Sequence, residues 1–202
     1  MARFGTLAEH LGHLRIALAS LDQQAALIDG WGQQLSTGFA AGGKLLAAGN
    51  GGSAAEAQHL TAELVGRFEM ERGPLPAIAL HAETSSLTAI CNDYGPDGIF
   101  ARQVRAHGRS GDVLVLLSTS GRSPNLLAAA TTAKERGIQV WAMTGPGPNP
   151  LTELADRALV IESAAPTAVQ EAQLVAVHAL CSAVERYLPS ASWAAEVEEV
   201  AW

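Results

Sequence analysis

The chain has 202 residues, of which 48% are hydrophobic and 16% are charged. This composition predicts one globular domain with a substantial buried core. The formal net charge is −7 and the 13 basic residues form no block, which argues against nucleic-acid binding through charge and against an anionic membrane surface. The chain opens with no charged-then-apolar leader and has no apolar run near the roughly 18 residues of a membrane span, so we expect a cytoplasmic protein.

The two cysteines, Cys91 and Cys181, are far apart in the chain, and each lies in an apolar segment. We therefore predict two buried free thiols rather than a disulfide or a metal-binding pair.

Two helices are predicted at the start of the chain. Apolar residues at helical spacing predict a helix over residues 4–29 that ends at Gly30, followed by a second helix over Trp31–Ala41. The first helix has an apolar stripe over about six turns, too much to leave in water. We expect residues 1–41 to join subunits of an oligomer.

Strands and helices then alternate through residues 42–188. The predicted strands cover residues 44–48, 77–80, 112–117, 138–143 and 158–161. A helix is predicted after the first strand, and further helices cover residues 84–92, 99–107, 124–136, 151–155 and 167–188. Continuous apolar strands separated by helices are typical of a parallel sheet covered on both faces. An acidic tail over residues 189–202 ends in Trp202.

Two loops of unusual composition follow the first and third predicted strands. In parallel sheets ligands bind at the carboxyl ends of the strands. Both loops combine a helix N-terminus with glycine or with serine and threonine, which is typical of a phosphate-binding cradle. Each loop alone is also explained by a tight turn or a helix N-cap. The candidate residues are Asn50, Gly51, Gly52, Ser53, Ser118, Thr119, Ser120 and Ser123.

Two predicted helices carry further candidates for chemistry. His59 and Glu63 are four residues apart and share one face of a helix, a spacing that suits two metal ligands, an acid–base pair or a solvated surface contact. The long last helix contains Gln170 and His178. Because apolar residues surround His178 in the sequence, the pattern alone favours a buried core histidine.

Taken together, these motifs resemble those of the phosphoheptose isomerases, a family with the SIS fold. The resemblance is collinear from about Leu7 to Leu188. It is carried by Gly49–Ser53, Gln58, His59, Glu63, Gly66, Arg67, Asn92–Gly95, Ser118–Gly121, Gln170, Glu171 and His178. The resemblance implies a flavodoxin-like three-layer α/β sandwich with a five-stranded parallel sheet. It also implies a homotetramer whose active sites lie between subunits.

The same resemblance implies roles for individual residues. Glu63 and His178 are expected to be the catalytic base and acid, and the serine and threonine hydroxyls of the two loops to hold the phosphate. The residues expected to bind the rest of the sugar or to shape the site are Asn50, Gly51, Gly52, Arg67, Asn92, Asp93 and Gln170. One zinc ion per subunit is expected on His59, Glu63, Gln170 and His178. This expectation replaces that of a core histidine at position 178.

The expected reaction converts sedoheptulose 7-phosphate to D-glycero-D-manno-heptose 7-phosphate through an enediol, the first step of nucleotide-activated heptose synthesis. One carboxylate and one imidazole suffice for the proton transfers. The chain departs from the family pattern at 165–170, which lacks two usual charges, at Gln173, where a histidine is common, and at Arg122, which replaces a frequent asparagine. These departures leave the sugar specificity open.

Two other functions compete with this one. A non-catalytic bacterial SIS protein that binds the replication initiator resembles the chain around 67–69 and 75–80, but it lacks the catalytic carboxylate and histidine, which are present here as Glu63 and His178. An isomerase for another phosphosugar is the second alternative. A sugar-sensing regulator is disfavoured because no DNA-binding domain is attached.

Overall fold

A computed structural model describes residues 5–189 and shows a single five-stranded sheet. All strands pair in parallel, in the order β2-β1-β3-β4-β5. The strands are β1 (Leu45–Gly49), β2 (Ala77–Ala79), β3 (Val113–Ser118), β4 (Gln139–Thr144) and β5 (Arg157–Val160). Each lies within one residue of its predicted bounds. Except for Pro189, the predicted acidic tail lies outside the residues that the structure describes.

Helices cover both faces of the sheet, as predicted. They are α1 (Leu7–Asp22), α2 (Ala25–Ala40), α3 (Gly52–Val65), α4 (Thr84–Tyr94), α5 (Ile99–His107), α6 (Pro124–Glu135), α7 (Pro150–Leu154) and α8 (Pro166–Tyr187). Alternate strand residues serve two cores: Leu45 packs in the core with α2, α3 and α8, and Leu46 in the core with α5, α6 and α7. This is the predicted three-layer sandwich. None of the helices within residues 5–189 is long and apolar enough to cross a bilayer.

The boundary between the first two helices was predicted wrongly. Helix α1 ends at Asp22 and α2 begins at Ala25, so Gly30 lies inside α2 instead of ending a helix. The break is made by Gln24, whose side chain donates to the Val160 carbonyl oxygen (2.6 Å) and accepts from the Val160 N–H (3.1 Å). A contact across 136 residues, which helical periodicity does not reveal, fixes the turn.

The cysteine prediction is right for one thiol and wrong for the other. Cys181 is buried and Cys91 is exposed, and both are free. Cys91 lies on α4, a helix with no buried residue in the single chain. Of its apolar neighbours on α4, Leu87 is partly buried against the core with α5 and α6, whereas Cys91 faces away from that core.

Candidate active site

The two polar loops lie side by side at the point where the strand order reverses. Strand β1 pairs with β2 on one side and with β3 on the other, and Gly49 is in register with Leu117. Helix α3 leaves β1 toward one face of the sheet, and α6 leaves β3 toward the opposite face. This arrangement opens a crevice at the carboxyl ends of β1 and β3, where doubly wound sheets bind ligands.

The glycines of the first loop are required by close packing. A Cβ atom on Gly49 would lie 2.4 Å from the Ser53 carbonyl oxygen, and one on Gly52 would lie 2.3 Å from Nε2 of Gln170. Gly51 has a φ of +57°, a conformation that L-residues rarely adopt. Ser53 is only 3% exposed at the first turn of α3. The first turn of α3 therefore packs directly on the end of β1, and the side chain of Gln170 in α8 packs on Gly52.

A reciprocal amide pair links the two loops. Asn50 Nδ2 donates to Asn125 Oδ1, and Asn125 Nδ2 donates to Asn50 Oδ1, each at 2.9 Å. Asn50 is a predicted sugar-binding residue, whereas Asn125 has no role predicted from the sequence. Asn125 lies in the first turn of a helix that follows a serine-rich loop, and this position in the sequence could have marked it as a candidate.

The second loop combines structural and free hydroxyl groups. Ser118 Oγ is buried and accepts from the Gly121 N–H at 3.0 Å, while Ser120 Oγ accepts from the Arg122 N–H at 3.3 Å. Ser123 stands at the N-cap of α6, but its side chain makes no capping hydrogen bond. The α6 N-terminus and the Ser123 hydroxyl are therefore available to an anion.

Three predicted functional side chains converge between α3 and α8. His59 Nε2 lies 2.9 Å from His178 Nε2 and 3.3 Å from Glu63 Oε1. One candidate ligand atom from each residue lies within 4.8 Å of the others. His178 projects from α8 toward α3, not into the core. The sequence pattern that favoured a buried core histidine is misleading here: His178 is not buried, and of its apolar neighbours only Val177 and Leu180 are, while Leu174 and Val175 are exposed.

Phe68 completes this group and was not assigned a role from the sequence. Its ring centroid lies 5.7 Å from that of His178, at an interplanar angle of 33°. Phe68 follows α3 in a loop without regular secondary structure, so only its place beside Arg67 in a family-like motif could have drawn attention to it.

Three other predicted residues do not join the cluster in the single chain. The Arg67 side chain is exposed and lies 3.7 Å from that of Glu71. On α4, Asn92 Nδ2 donates to Asp93 Oδ1 at 2.8 Å. Within residues 5–189, no hydrogen bond or ion pair joins Arg67, Asn92 or Asp93 to the histidine–glutamate cluster. Their predicted contact with a sugar stays a prediction.

Two buried groups near the cluster have strongly raised pKa values. Glu56, His59 and Glu63 follow at helical spacing along one face of α3. Burial raises the pKa of Glu56 to about 8, and its Oε2 atom has no hydrogen-bond partner. Burial, and then the charge of Glu63, raises the pKa of the Cys181 thiol to about 12. At neutral pH this thiol is protonated, and Cys181 is not among the side chains that converge with His59.

The donors present suit a borderline divalent cation. Two imidazoles and one carboxylate converge on one point, a ligand set that zinc favours. Gln170, the fourth predicted ligand, lies over the first turn of the helix that carries His59 and Glu63. The chemistry of this donor set therefore agrees with a metal site between α3 and α8.

Comparisons with known proteins agree with this geometry. The sequence profile of the SIS domain matches residues 12–145. A phosphoheptose isomerase of Streptomyces coelicolor is 57% identical over 179 residues, which cover 89% of this chain and 78% of that one. A solved phosphoheptose isomerase from Neisseria gonorrhoeae has a TM-score of 0.82 at 38% identity and covers 89% of this chain and 97% of its own.

A second solved structure, of a phosphoheptose isomerase from Francisella tularensis, has a TM-score of 0.80 at 33% identity and covers 91% of this chain and 100% of its own. The chain therefore belongs to the SIS domain family and, within that family, to the phosphoheptose isomerases.

Proposed function

We propose that this isomerase converts sedoheptulose 7-phosphate to D-glycero-D-manno-heptose 7-phosphate, the first step of nucleotide-activated heptose synthesis. The observation that carries the proposal is the convergence of Glu63 and His178 with His59 between α3 and α8. A carboxylate and an imidazole at one point are the two groups that a ketose–aldose isomerisation requires.

The reaction moves one proton between neighbouring carbons of the sugar. Glu63 removes a proton from C1 of the ketose while His178 donates a proton to the C2 carbonyl oxygen, which gives the enediol. Glu63 then returns its proton to C2, and the hydroxyl proton on O1 returns to His178 as the aldehyde forms. Each group ends in its starting protonation state, so the two residues suffice for turnover.

The phosphate is held at a distance from the proton transfers. Its partners are the hydroxyl groups of Ser53, Ser118, Thr119, Ser120 and Ser123. Helices α3 and α6 both begin at this crevice, and helix N-termini favour an anion. The free hydroxyl of Ser123 supports this part of the proposal.

We assign a zinc ion to His59, Glu63, Gln170 and His178. Two imidazoles and one carboxylate that already converge support this assignment. Zinc bound there supplies a positive charge that stabilises negative charge on the enediolate oxygens. A carboxylate bound to zinc would be a weaker base, so Glu63 would act as the base only where it is not coordinated.

The proposal includes a homotetramer in which neighbouring subunits complete each site. Helix α1 exposes large apolar side chains, among them Ile16, which is 57% exposed. A groove of about 410 Å³ between α1, α2 and α8 is lined partly by Leu18 and Val175. Helix α4, which carries Asn92 and Asp93, has no buried residue in the single chain. A second copy that covers these surfaces would bury them and bring new residues to the crevice.

We also place the protein in the cytoplasm and expect no nucleic-acid partner. The proposed substrate is a phosphorylated sugar, a charged molecule that does not cross a bilayer unaided. The net charge of −7 supports the absence of a nucleic-acid partner.

The decisive experiment incubates the purified protein with sedoheptulose 7-phosphate and identifies the product by NMR. The proposal expects the aldoheptose phosphate, with solvent deuterium incorporated at C2 when the reaction runs in D2O. Absence of that product overturns the assigned substrate. A panel of hexose and aminosugar phosphates would then distinguish another isomerase from an initiator-binding protein that turns over no sugar.

A further inference from the structure

A buried ion pair lies behind the candidate site. Arg72 Nε and Glu185 Oε1 are 3.0 Å apart, and both side chains are 4% exposed. Arg72 lies in the loop between α3 and β2, and Glu185 lies near the end of α8. The pair therefore connects the two helices that supply the cluster, through residues 113 positions apart.

The guanidinium of Arg72 caps the end of α3. Its Nη2 donates to the Glu63 carbonyl oxygen at 2.7 Å, and its Nη1 donates to the Leu64 and Gly73 carbonyl oxygens at 2.9 and 3.0 Å. The last carbonyl groups of a helix have no partner within the helix, and a cation is favoured beside them. The backbone of Glu63 is thus fixed directly by Arg72.

The carboxylate of Glu185 fixes the loop that contacts His178. It accepts the N–H groups of Phe68, Glu69 and Met70 at 3.3, 3.2 and 3.0 Å. The Phe68 ring, held in this way, packs at 5.7 Å from the ring of His178. One buried pair therefore restrains the backbone of the proposed base and the ring beside the proposed acid.

We propose that Arg72 and Glu185 are positioning residues that set the relative placement of Glu63 and His178. The inference rests on the proposed function, in which those two residues transfer the protons. Stability alone does not account for such a pair, because well-packed apolar residues often replace a buried ion pair without loss. Placement does account for it, since errors of about 1 Å in a reacting group can lower turnover 10²-fold.

The test replaces the whole pair by apolar residues of similar length, Arg72→Met with Glu185→Met. This double variant leaves no unpaired buried charge, yet it removes the hydrogen bond that Arg72 donates to the Glu63 carbonyl oxygen and those that Glu185 accepts from the Phe68 loop. We expect kcat to fall about 10- to 100-fold and KM to change less than about 3-fold, because the phosphate loops belong to other elements. Wild-type kcat in the double variant overturns the proposal.

The matched control is a second ion pair at the opposite end of the sheet. Lys44 Nζ lies 2.7 Å from Asp112 Oδ2, and Asp112 also accepts the backbone N–H groups of Lys44 and Arg109. Lys44→Met with Asp112→Leu should change the melting temperature while kcat stays at the wild-type value. If kcat falls equally in both double variants and their stabilities are equal, the effect is a general structural one. That outcome overturns the proposal.

Two further measurements cover the remaining outcomes. If the double variant does not fold, Glu185→Gln keeps the shape of the side chain, and an unchanged kcat in that variant overturns the proposal. If the wild type turns over no sedoheptulose 7-phosphate, the proposed function fails, and zinc affinity measured by chelator competition decides instead. Weaker zinc binding in the Arg72–Glu185 variant than in the control supports the positioning role, and equal binding overturns it.

Discussion

The Nε2 atoms of His59 and His178 lie 2.9 Å apart, although the two residues are 119 positions apart in the chain. At this separation one ring nitrogen donates a hydrogen bond and the other accepts it. Two imidazoles this close together, with Glu63 beside them, offer the donor atoms that a divalent cation would bind.

Removal of one imidazole tests this view of the cluster. We expect one zinc per subunit in the wild type and loss of that zinc in His59→Ala, because two of the three converging donors then remain. Metal analysis of protein purified without a polyhistidine tag measures the stoichiometry. His13→Ala, a change on α1 away from the cluster, is the control and should keep its zinc. Unchanged zinc in His59→Ala contradicts the ligand assignment.

Replacement of the proposed acid and base tests the proton transfers. Glu63→Gln keeps the size of the side chain but removes the base, and His178→Gln removes the acid. We expect kcat to fall by about 10²–10⁴ in each variant. The measurement is initial rate against sedoheptulose 7-phosphate concentration, together with substrate binding by calorimetry. Near-native turnover with normal binding in both variants would place the proton transfers on other residues.

The serine loop should act on the phosphate whatever sugar carries it. Ser120→Ala is expected to lower kcat/KM, because about 1–2 kcal/mol of binding to the phosphate is lost. The decrease should be the same for sedoheptulose 7-phosphate and for fructose 6-phosphate. Discrimination between the sugars then depends on Asn50, Asp93 and the altered 165–170 stretch. Because that stretch lacks two charges usual in the family, we expect poorer discrimination against shorter ketose phosphates. A changed ratio between the sugars in Ser120→Ala would show that Ser120 contacts more than the phosphate.

The sequence predicted the parts of the structure that depend on local pattern. The five strands were found from apolar runs, and the two polar loops beside each other at the strand ends from composition. Gln24 was missed because its hydrogen bonds to Val160 cross 136 residues. Arg72 and Glu185 were missed for the same reason, since neither has a local pattern that distinguishes it from a surface charge. Without the family resemblance, His178 would have been assigned to the core.

The buried carboxyl group of Glu56 gives the protein a specific dependence on pH. Its pKa in the folded chain is about 8, raised by burial from an ordinary 4.5. The unfolded chain therefore releases this proton first as pH rises, and stability is lost between about pH 4.5 and pH 8. Glu56→Gln should melt a few degrees higher than the wild type at pH 7.5 and equally at pH 4.5. Calorimetric scans at both pH values decide this, and an equal difference at both contradicts the assigned cause.

The apolar surface of α1 gives a prediction about assembly. We expect a tetramer at micromolar concentration and smaller species in Ile16→Glu, because a charge is costly in an apolar interface. Light scattering coupled to size-exclusion chromatography measures the mass. Thr131→Glu introduces the same charge on the exposed face of α6 and should leave the mass unchanged. A monomeric wild type would contradict both the tetramer and the shared active site.

The reciprocal pair of Asn50 and Asn125 has a consequence for ligand choice. Before a sugar arrives, the two carboxamides satisfy each other across the crevice. A ligand that separates Asn50 from Asn125 must offer each carboxamide one hydrogen-bond donor and one acceptor in place of its partner. A hydroxyl group does both, whereas a deoxy or fluoro carbon leaves an amide group without its partner. If a sugar binds between these two residues, we expect the crevice to discriminate against deoxygenated analogues through the amide groups that such analogues leave without partners.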